Sequence, residues 1–349
     1  MKALTFQGKA TIGYETCADP EIAAPDDVIV KTRLTAVCGS DLHVYHERET
    51  GIDAGTIMGH ELVGEVVEVG AAVKSLDPGT PVVSPFSTNC GDCFYCRKGF
   101  TCRCPRGHLF GWVERGVGLQ GTQAEYVRVP LAETTLLRVP EGVSDEEALL
   151  LGDVLSTGFF CAEAAEVGPE TTCAVIGCGP VGLMAILGAR ERGATTIFAV
   201  DGVPERLELA QRFGAVPVDV RLGSAVDSVR ERTEGRGADA VLEVVGSPEA
   251  ARLAVDLVRD CGIVSVAGVH SEAQFAFSPA EAYRKNLTYT IGRCPARYYM
   301  GRLLGLVQQK KYDFQAIVSH RLPLAEGARA YRMFDRKEEG CTKVVLWPL

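Results

Sequence analysis

The sequence predicts the α/β class, with a doubly wound parallel sheet and a separate β-rich unit. Three observations carry this. Between residues 171 and 291, β-type runs alternate with helical patterns, the succession that builds a parallel sheet covered by helices on both faces. Within that region a glycine-rich turn follows a strand and opens a helix. Residues 1–150 read mainly as short strands divided by turn signals, and the chain closes on another, KVVLWPL.

The turn is Gly177-Cys178-Gly179-Pro180-Val181-Gly182, placed after the β-type run 172–176 and before an apolar helical pattern. A second run, 196–200, ends on Asp201. A G-x-G-x-x-G turn in this setting, with an acid about 20 residues on, is the dinucleotide fingerprint. Gly177 permits the tight turn, Gly179 lets the backbone approach a pyrophosphate, and Gly182 lets helix and strand pack closely. The helix N-terminus, opened by Pro180 and Val181, offers free N–H groups and a positive dipole end to the phosphates. Asp201 is suited to accept hydrogen bonds from an adenosine ribose, and a carboxylate there repels a 2′-phosphate, which favours NAD over NADP. Arg206, five residues on, is the basic residue that leaves NADP use open. Val266 and Gly268 end the run GIVSVAG, where the nicotinamide is expected, because ligands bind beyond the carboxyl ends of such strands.

With 349 residues there is room for two domains, and 46% apolar against 23% charged residues is ordinary for a globular protein. A net charge of −9 gives no electrostatic footprint for nucleic acid or an anionic membrane. No apolar run approaches membrane-spanning length. The start, MKALTFQGKATIGYET, lacks the apolar region of a secretory leader, so a cytoplasmic enzyme is expected. In a reducing compartment, 13 cysteines with five of them between residues 90 and 104 read as metal ligation.

In chain order, KALTF and DDVIVKTRLTAV are strands, parted by a turn at Ala24-Pro25-Asp26-Asp27. Cys38-Gly39-Ser40-Asp41-Leu42-His43 and Gly59-His60-Glu61 follow. Thiolate sulfur and imidazole nitrogen are good zinc ligands, although a lone cysteine or histidine is more often simply buried. Residues 62–83 alternate, with Glu65 and Glu68 as solvated strand positions. Cys90, Cys93, Cys96 and Cys104 follow C-x2-C-x2-C-x7-C, the donor set of a closed tetrahedral zinc site. Iron–sulfur motifs use the same short spacing, and a disulfide knot also fits, so the pattern alone leaves the ion open. Cys102 is a spare. Phe110 and Trp112 read as core or pocket residues, and 121–127 as a turn into an edge strand. Residues 143–167 look helical, with a Ser144–Glu147 capping box, and they carry Asp153 and Ser156-Thr157-Gly158. Helices are then expected near 204–213, 224–233, 248–260 and 299–309. The resulting organisation is a β-rich unit over 1–150 with a cysteine lobe at about 88–106, a nucleotide-binding unit over 151–291, and a return of 292–349 to the first unit.

Over essentially its whole length the chain resembles the zinc-dependent medium-chain alcohol dehydrogenase family. Gly59-His60-Glu61-x2-Gly64-x5-Gly70-x2-Val73 matches the family's zinc signature, and the cysteine lobe, the GCGPVG turn and Asp201 match in order and spacing. Asp41, Asp153 and the run GDVLSTGFF look like the subgroup related to formaldehyde and threonine dehydrogenases. The resemblance implies a Rossmann domain, a discontinuous GroES-like catalytic domain, two zinc ions per chain, NAD, and an alcohol–aldehyde or alcohol–ketone reaction in a homotetramer or dimer.

By the same resemblance, Cys38, His60 and Asp153 look like the catalytic zinc ligands. Many relatives place cysteine where Asp153 stands, and a carboxylate oxygen donates less electron density than a thiolate. Glu61 resembles the glutamate that sits behind the metal and can swing in to ligate it, and Asp41 the carboxylate that orients His60. Ser40 and His43 resemble a proton relay that runs from the alcohol to Ser40, the nicotinamide ribose, His43 and water. Thr157 looks like a nicotinamide contact and Lys343 like a pyrophosphate contact. Two departures stand out. Gly39 occupies a position that is often basic, and the long insertion of the tightly cofactor-retaining formaldehyde dismutase type is missing, which implies exchangeable NAD. Phe86, Trp112 and Tyr298 are candidate pocket residues that do not fix the substrate. L-threonine or polyol oxidation is the close alternative. A non-catalytic NAD-binding protein and an interaction role for the cysteine lobe are the rivals of another class.

Overall fold

The computed structural model describes residues 1–348 and divides into two compact units, residues 1–153 with 295–349, and residues 154–294. The first stretch of unit one holds β1 (Lys2–Phe6), β2 (Ile12–Thr16), β3 (Val28–Val37), the single-turn helix α1 (Asp41–Tyr45), β4 (Leu62–Val69) and β5 (Pro81–Ser84). After these come α2 (Phe94–Arg97), β6 (Trp112–Glu114), β7 (Val117–Leu119), β8 (Tyr126–Val129), α3 (Ala132–Thr135), β9 (Leu137–Arg138) and α4 (Asp145–Gly152). The capping box at the start of α4 forms as expected: Ser144 Oγ accepts the Glu147 N–H at 3.2 Å, and the Glu147 carboxylate accepts the Ser144 N–H at 2.9 Å.

Unit two is α5 (Val154–Ala164), β10 (Thr172–Ile176), α6 (Pro180–Glu191), β11 (Thr196–Asp201), α7 (Pro204–Arg212), β12 (Val216–Asp219) and α8 (Ala225–Glu231). It continues through β13 (Ala238–Glu243), α9 (Pro248–Leu257), β14 (Val258–Val266), α10 (Pro279–Lys285) and β15 (Thr288–Ile291). Its six strands run in the order β12-β11-β10-β13-β14-β15, and every pairing is parallel. That is the doubly wound order, with its switch point between β10 and β13. Apolar faces of β10, β11, β13 and β14 pack with α8 and α9 residues around Phe198, Val241, Val229 and Ala254, all buried.

The chain then returns to unit one through α11 (Ala296–Gln308), β16 (Val318–Pro323), α12 (Gly327–Arg336) and β17 (Lys343–Trp347). The main sheet of unit one has the path β16-β17-β3-β4-β5-β9, with β8 also on β3. The long β3 is its axis: it pairs antiparallel with β17, β4 and β8.

Two local expectations needed correction. The helix expected over 143–167 breaks at Asp153, whose backbone (φ −142°, ψ −80°) is not helical. The helix expected to reach 260 ends at Leu257, and β14 starts four residues earlier than GIVSVAG suggests. β-Branched Val258 favours the strand, and Arg259 ties that early segment to β13 through a 2.6 Å ion pair with Asp239. β2 was not anticipated; its alternation is hidden by polar residues at its exposed end.

Among the described residues, no helix is long and apolar enough to cross a membrane.

Candidate catalytic metal centre and cofactor turn

Three strand ends meet in unit one. β3 and β4 pair with Thr35 opposite Leu62, so the residues that follow β3 lie beside those that precede β4. β17 pairs on the other side with Val344 opposite Val37. This brings Cys38, His60-Glu61 and Lys343 together although they are far apart in sequence. Gly59 turns the chain into His60 with φ +86°, and a Cβ there would stand 2.4 Å from the Gln123 side chain. Asp153 arrives from the break after α4, where Gly152 lies so close to β5 that a Cβ would meet Ser84 O at 2.5 Å.

Cys38 Sγ, a His60 ring nitrogen and an Asp153 oxygen all lie within 4.8 Å of one another, and all three residues are buried. Cys38 Sγ is 3.3 Å and His60 Nε2 3.5 Å from Asp153 Oδ2. The other ring nitrogen, Nδ1, is 3.1 Å from Asp41 Oδ1, while Asp41 Oδ2 accepts the Cys38 N–H at 2.9 Å. One carboxylate therefore orients His60 and anchors Cys38, the arrangement that supports metal-bound imidazoles. Ser40 Oγ lies 3.2 Å from His60 Nε2. His43 is buried in α1, three residues further on.

The donor set fits a zinc ion of the catalytic kind, with sulfur, nitrogen and oxygen ligands and a fourth position open to substrate. Its electrostatics agree. Burial pushes the Cys38 thiol up, and Asp153 adds to this. Burial disfavours the protonated imidazole of His60, yet Asp41 and Asp153 pull its pKa well above the ordinary range. Burial also opposes ionisation of Asp153, but His60 holds its carboxyl below the usual range. The point where these donors converge favours positive charge.

Sequence reasoning assigned Lys343 to the pyrophosphate, and the structure corrects this. Lys343 has no exposed surface, and its ammonium donates to Glu61 Oε1 at 2.7 Å, Glu61 Oε2 at 2.6 Å and Val37 O at 3.2 Å. Every donor of the ammonium is used inside unit one, so none is left for a phosphate. Burial pushes the Glu61 carboxyl up to about 7 against the pull of Lys343, while Glu61 raises Lys343 against its own burial. A lysine opening an otherwise apolar closing strand was the available signal for this pair.

The second group is local. Cys90, Cys93, Cys96 and Cys104 place four sulfurs within 4.8 Å of one another, and none is in a disulfide. Cys102 sits in the short turn at Thr101–Arg103 and is outside the group. The Cys96 N–H points to Cys93 Sγ at 3.4 Å and the Cys90 N–H to Cys104 Sγ at 3.3 Å. The Cys96 N–H holds the Cys93 thiol down to about 7, while burial pushes Cys96 up to about 12. Four thiols this close need a cation to be thiolates together, which is the structural zinc arrangement.

In unit two the glycine turn sits at the carboxyl end of β10. Gly177 has φ +89°, and a Cβ on Gly182 would stand 1.8 Å from Gly177 O, so this turn closes only on glycine. Gly179 caps α6, with Pro180 and Val181 in its first turn. Asp201 Oδ2 accepts the Cys178 N–H at 2.7 Å and Oδ1 those of Gly202 and Val203, so the acid also ties β11 to the turn. Arg206 is 9% exposed, its guanidinium lies about one van der Waals contact from the Gly179 Cβ position, and its buried Nε has no hydrogen-bond partner. A guanidinium with an unsatisfied nitrogen beside a helix N-terminus is a fit for a phosphate or ribose. Val266 ends β14 and Gly268 follows it, and Thr157 is buried in α5.

Two donor sets of this kind in the β-rich unit, in a chain whose other unit is a doubly wound sheet with a dinucleotide turn, define a zinc oxidoreductase architecture. Residues 24–141 match the alcohol dehydrogenase GroES-like domain, and residues 180–308 match the zinc-binding dehydrogenase family. The chain is 41% identical over 343 residues to zinc-type alcohol dehydrogenase B of Aspergillus flavus, covering 96% of this chain and 79% of that one. It is 35% identical over 344 residues to the NADP-dependent isopropanol dehydrogenase of Thermoanaerobacter brockii, covering 97% and 94%. The solved alcohol dehydrogenase TADH from Thermus sp. ATN1 matches with a TM-score of 0.93 at 40% identity, covering 100% of both chains. The chain belongs to the zinc-dependent medium-chain alcohol dehydrogenase family, and it is an oxidoreductase of class EC 1.1.1.

Proposed function

We propose that Cys38, His60 and Asp153 hold the catalytic zinc and that the chain oxidises an alcohol to its aldehyde or ketone, with NAD as the hydride acceptor. The observation that carries this reading is the convergence of the three donors within 4.8 Å, with the Ser40 hydroxyl 3.2 Å from His60 Nε2. The chemistry supplied from outside the chain is Lewis-acid polarisation of the hydroxyl oxygen by the metal and hydride acceptance by the nicotinamide. Cys38 and Asp153 supply the negative charge that retains the ion, and Asp41 fixes the imidazole of His60. Ser40 receives the hydroxyl proton, since a hydroxyl both accepts and donates. His43 passes it onward, since an imidazole can both accept and donate a proton. Glu61 backs the ligands, held there by Lys343.

The glycine turn, Asp201, Arg206, Val266, Gly268 and Thr157 form the proposed cofactor set, within a nucleotide-binding unit that follows residue 150. NAD is favoured by Asp201. A second reading, NADP, is favoured by the unsatisfied Arg206 Nε beside Gly179 and by the NADP-dependent isopropanol dehydrogenase relative. That relative also brings secondary alcohols to the head of the substrate list, ahead of threonine, polyols and formaldehyde adducts. The last three follow from the formaldehyde/threonine subgroup suggested by Asp153 and GDVLSTGFF. A cytoplasmic homotetramer or dimer completes the proposal.

The test is initial-rate NADH and NADPH formation with primary, secondary and aromatic alcohols, polyols, threonine, and formaldehyde with and without glutathione, each beside a chelator-treated sample. Chelator-sensitive turnover of one class supports the reading and names the substrate. Turnover that survives loss of all zinc contradicts it.

A further inference from the structure

Glu243 closes β13, has no exposed surface, and binds two loops at once. Its Oε1 accepts the N–H groups of Val245 and Gly246 at 2.7 and 2.8 Å, which fixes the turn after its own strand. Its backbone carbonyl accepts the N–H groups of Ala267 and Gly268 at 3.0 and 3.2 Å, which fixes the loop after the neighbouring β14. The remaining oxygen, Oε2, lies 2.9 Å from Nε2 of His270, whose Nδ1 is 3.3 Å from Glu272 Oε2. The two loops touch through backbone. A Cβ on Gly246 would stand 2.2 Å from Val269 O, and one on Gly268 2.3 Å from Gly246 N. Val245 in turn leans on the phosphate turn, where a Cβ on Gly177 would meet its Cγ2 at 2.5 Å. Glu243 and Val266 are partners in the sheet register, so the whole knot sits at the carboxyl ends of adjacent parallel strands, the ligand-binding end of such a sheet.

We infer that His270 is a positioning residue for the dinucleotide: by clasping Glu243 it sets the 267–270 loop against the 244–246 turn and so shapes the surface that receives the cofactor. This rests on the reading of unit two as the dinucleotide-binding unit. The amides of both loops are already engaged by Oε1 and the backbone carbonyl of Glu243, so without the imidazole the buried Oε2 is left unsatisfied. Loss of the imidazole therefore loosens the loops without touching zinc, Ser40 or His43. The effect falls on cofactor affinity and spares turnover once cofactor saturates.

The experiment is NADH and NADPH titration by fluorescence on zinc-loaded wild-type, His270→Ala, His270→Leu and His270→Gln enzymes, with KM for NAD and kcat measured on the best alcohol of the panel. His270→Ala is expected to raise the NADH Kd and the KM for NAD roughly tenfold, the scale of one hydrogen bond to a charged group, with kcat nearly unchanged. His270→Gln, whose amide still donates to Glu243, recovers most of the affinity, and His270→Leu does not. If the alanine variant does not fold, the glutamine and leucine pair decides on the same readout. A wild-type enzyme that binds neither NADH nor NADPH overturns the dinucleotide reading and this inference with it. Normal wild-type binding, with equal NADH affinity in all variants, overturns the inference alone. So does an equal fall of kcat and affinity that glutamine does not rescue.

Discussion

The two cysteine-bearing centres of unit one are built in opposite ways. The four-sulfur lobe takes all its donors from residues 90–104 and closes on itself. The Cys38–His60–Asp153 centre takes one donor from each of three distant segments, with Cys38 and Asp153 115 residues apart, and supplies only three. A closed set has no place for a substrate, so its ion contributes folding energy, while an open set keeps a coordination position for chemistry. The first draws all four donors from one loop. The second requires β3, β4, β17 and α4 to be in register first.

That difference gives predictions in descending size. Cys38→Ser is expected to lower kcat by about a thousandfold or more, the loss of several kcal/mol of Lewis-acid stabilisation. Zinc should fall from two ions per chain to one and the melting temperature should change little, as read by metal analysis and calorimetry. Cys93→Ser is expected to do the reverse, with a loss of stability of several kcal/mol or failure to assemble, while the correctly folded fraction keeps its activity. Equal effects of both variants on stability would erase the distinction between the centres.

Next is the buried pair behind the open centre. Lys343→Met leaves the Glu61 carboxylate without its cation in a site with no solvent, and should cost about 3–5 kcal/mol in denaturant unfolding. Adding Glu61→Leu should return most of that stability, because a buried pair replaced by apolar residues is often neutral. If Lys343→Met alone is neutral, the pair is not what holds this end of β17.

The smallest effect belongs to α4, the helix that delivers Asp153. Burial disfavours the Glu147 carboxylate, but Lys310 and the Ser144 N–H outweigh it and hold its pKa below the usual range. A carboxyl depressed by folding stabilises the fold above its unfolded value, near 4.3, and that contribution disappears as pH falls through the folded value. Glu147→Gln is expected to cost about 1 kcal/mol at pH 7, and the two proteins should converge in stability as pH falls through the depressed folded value of Glu147. A gap that persists in acid would assign the loss to packing.

The same contrast explains what was legible in the sequence. A spacing pattern can announce the lobe, because Cys90, Cys93, Cys96 and Cys104 are neighbours in the chain. The glycine turn is legible for the same reason: Gly177 to Gly182 do their work within one strand–helix junction. Cys38, His60 and Asp153 could be grouped only through resemblance to a family, because no local pattern records that β3 and β4 pair with Thr35 opposite Leu62. Lys343 shows the limit of that route. Resemblance offered it to a phosphate, whereas the register of β17 on β3 turns it inward onto Glu61. The Glu243–His270 clasp was also invisible, since it joins the ends of two strands whose adjacency is a property of the sheet.

The most direct test of this account is zinc counted and activity measured on one sample during brief chelation and zinc add-back. The account predicts two zinc ions per chain, with one lost readily together with alcohol oxidation while the protein stays folded, and both recovered when zinc is returned. Oxidation that continues after that ion is gone, or an ion whose removal always unfolds the chain before activity falls, would contradict it.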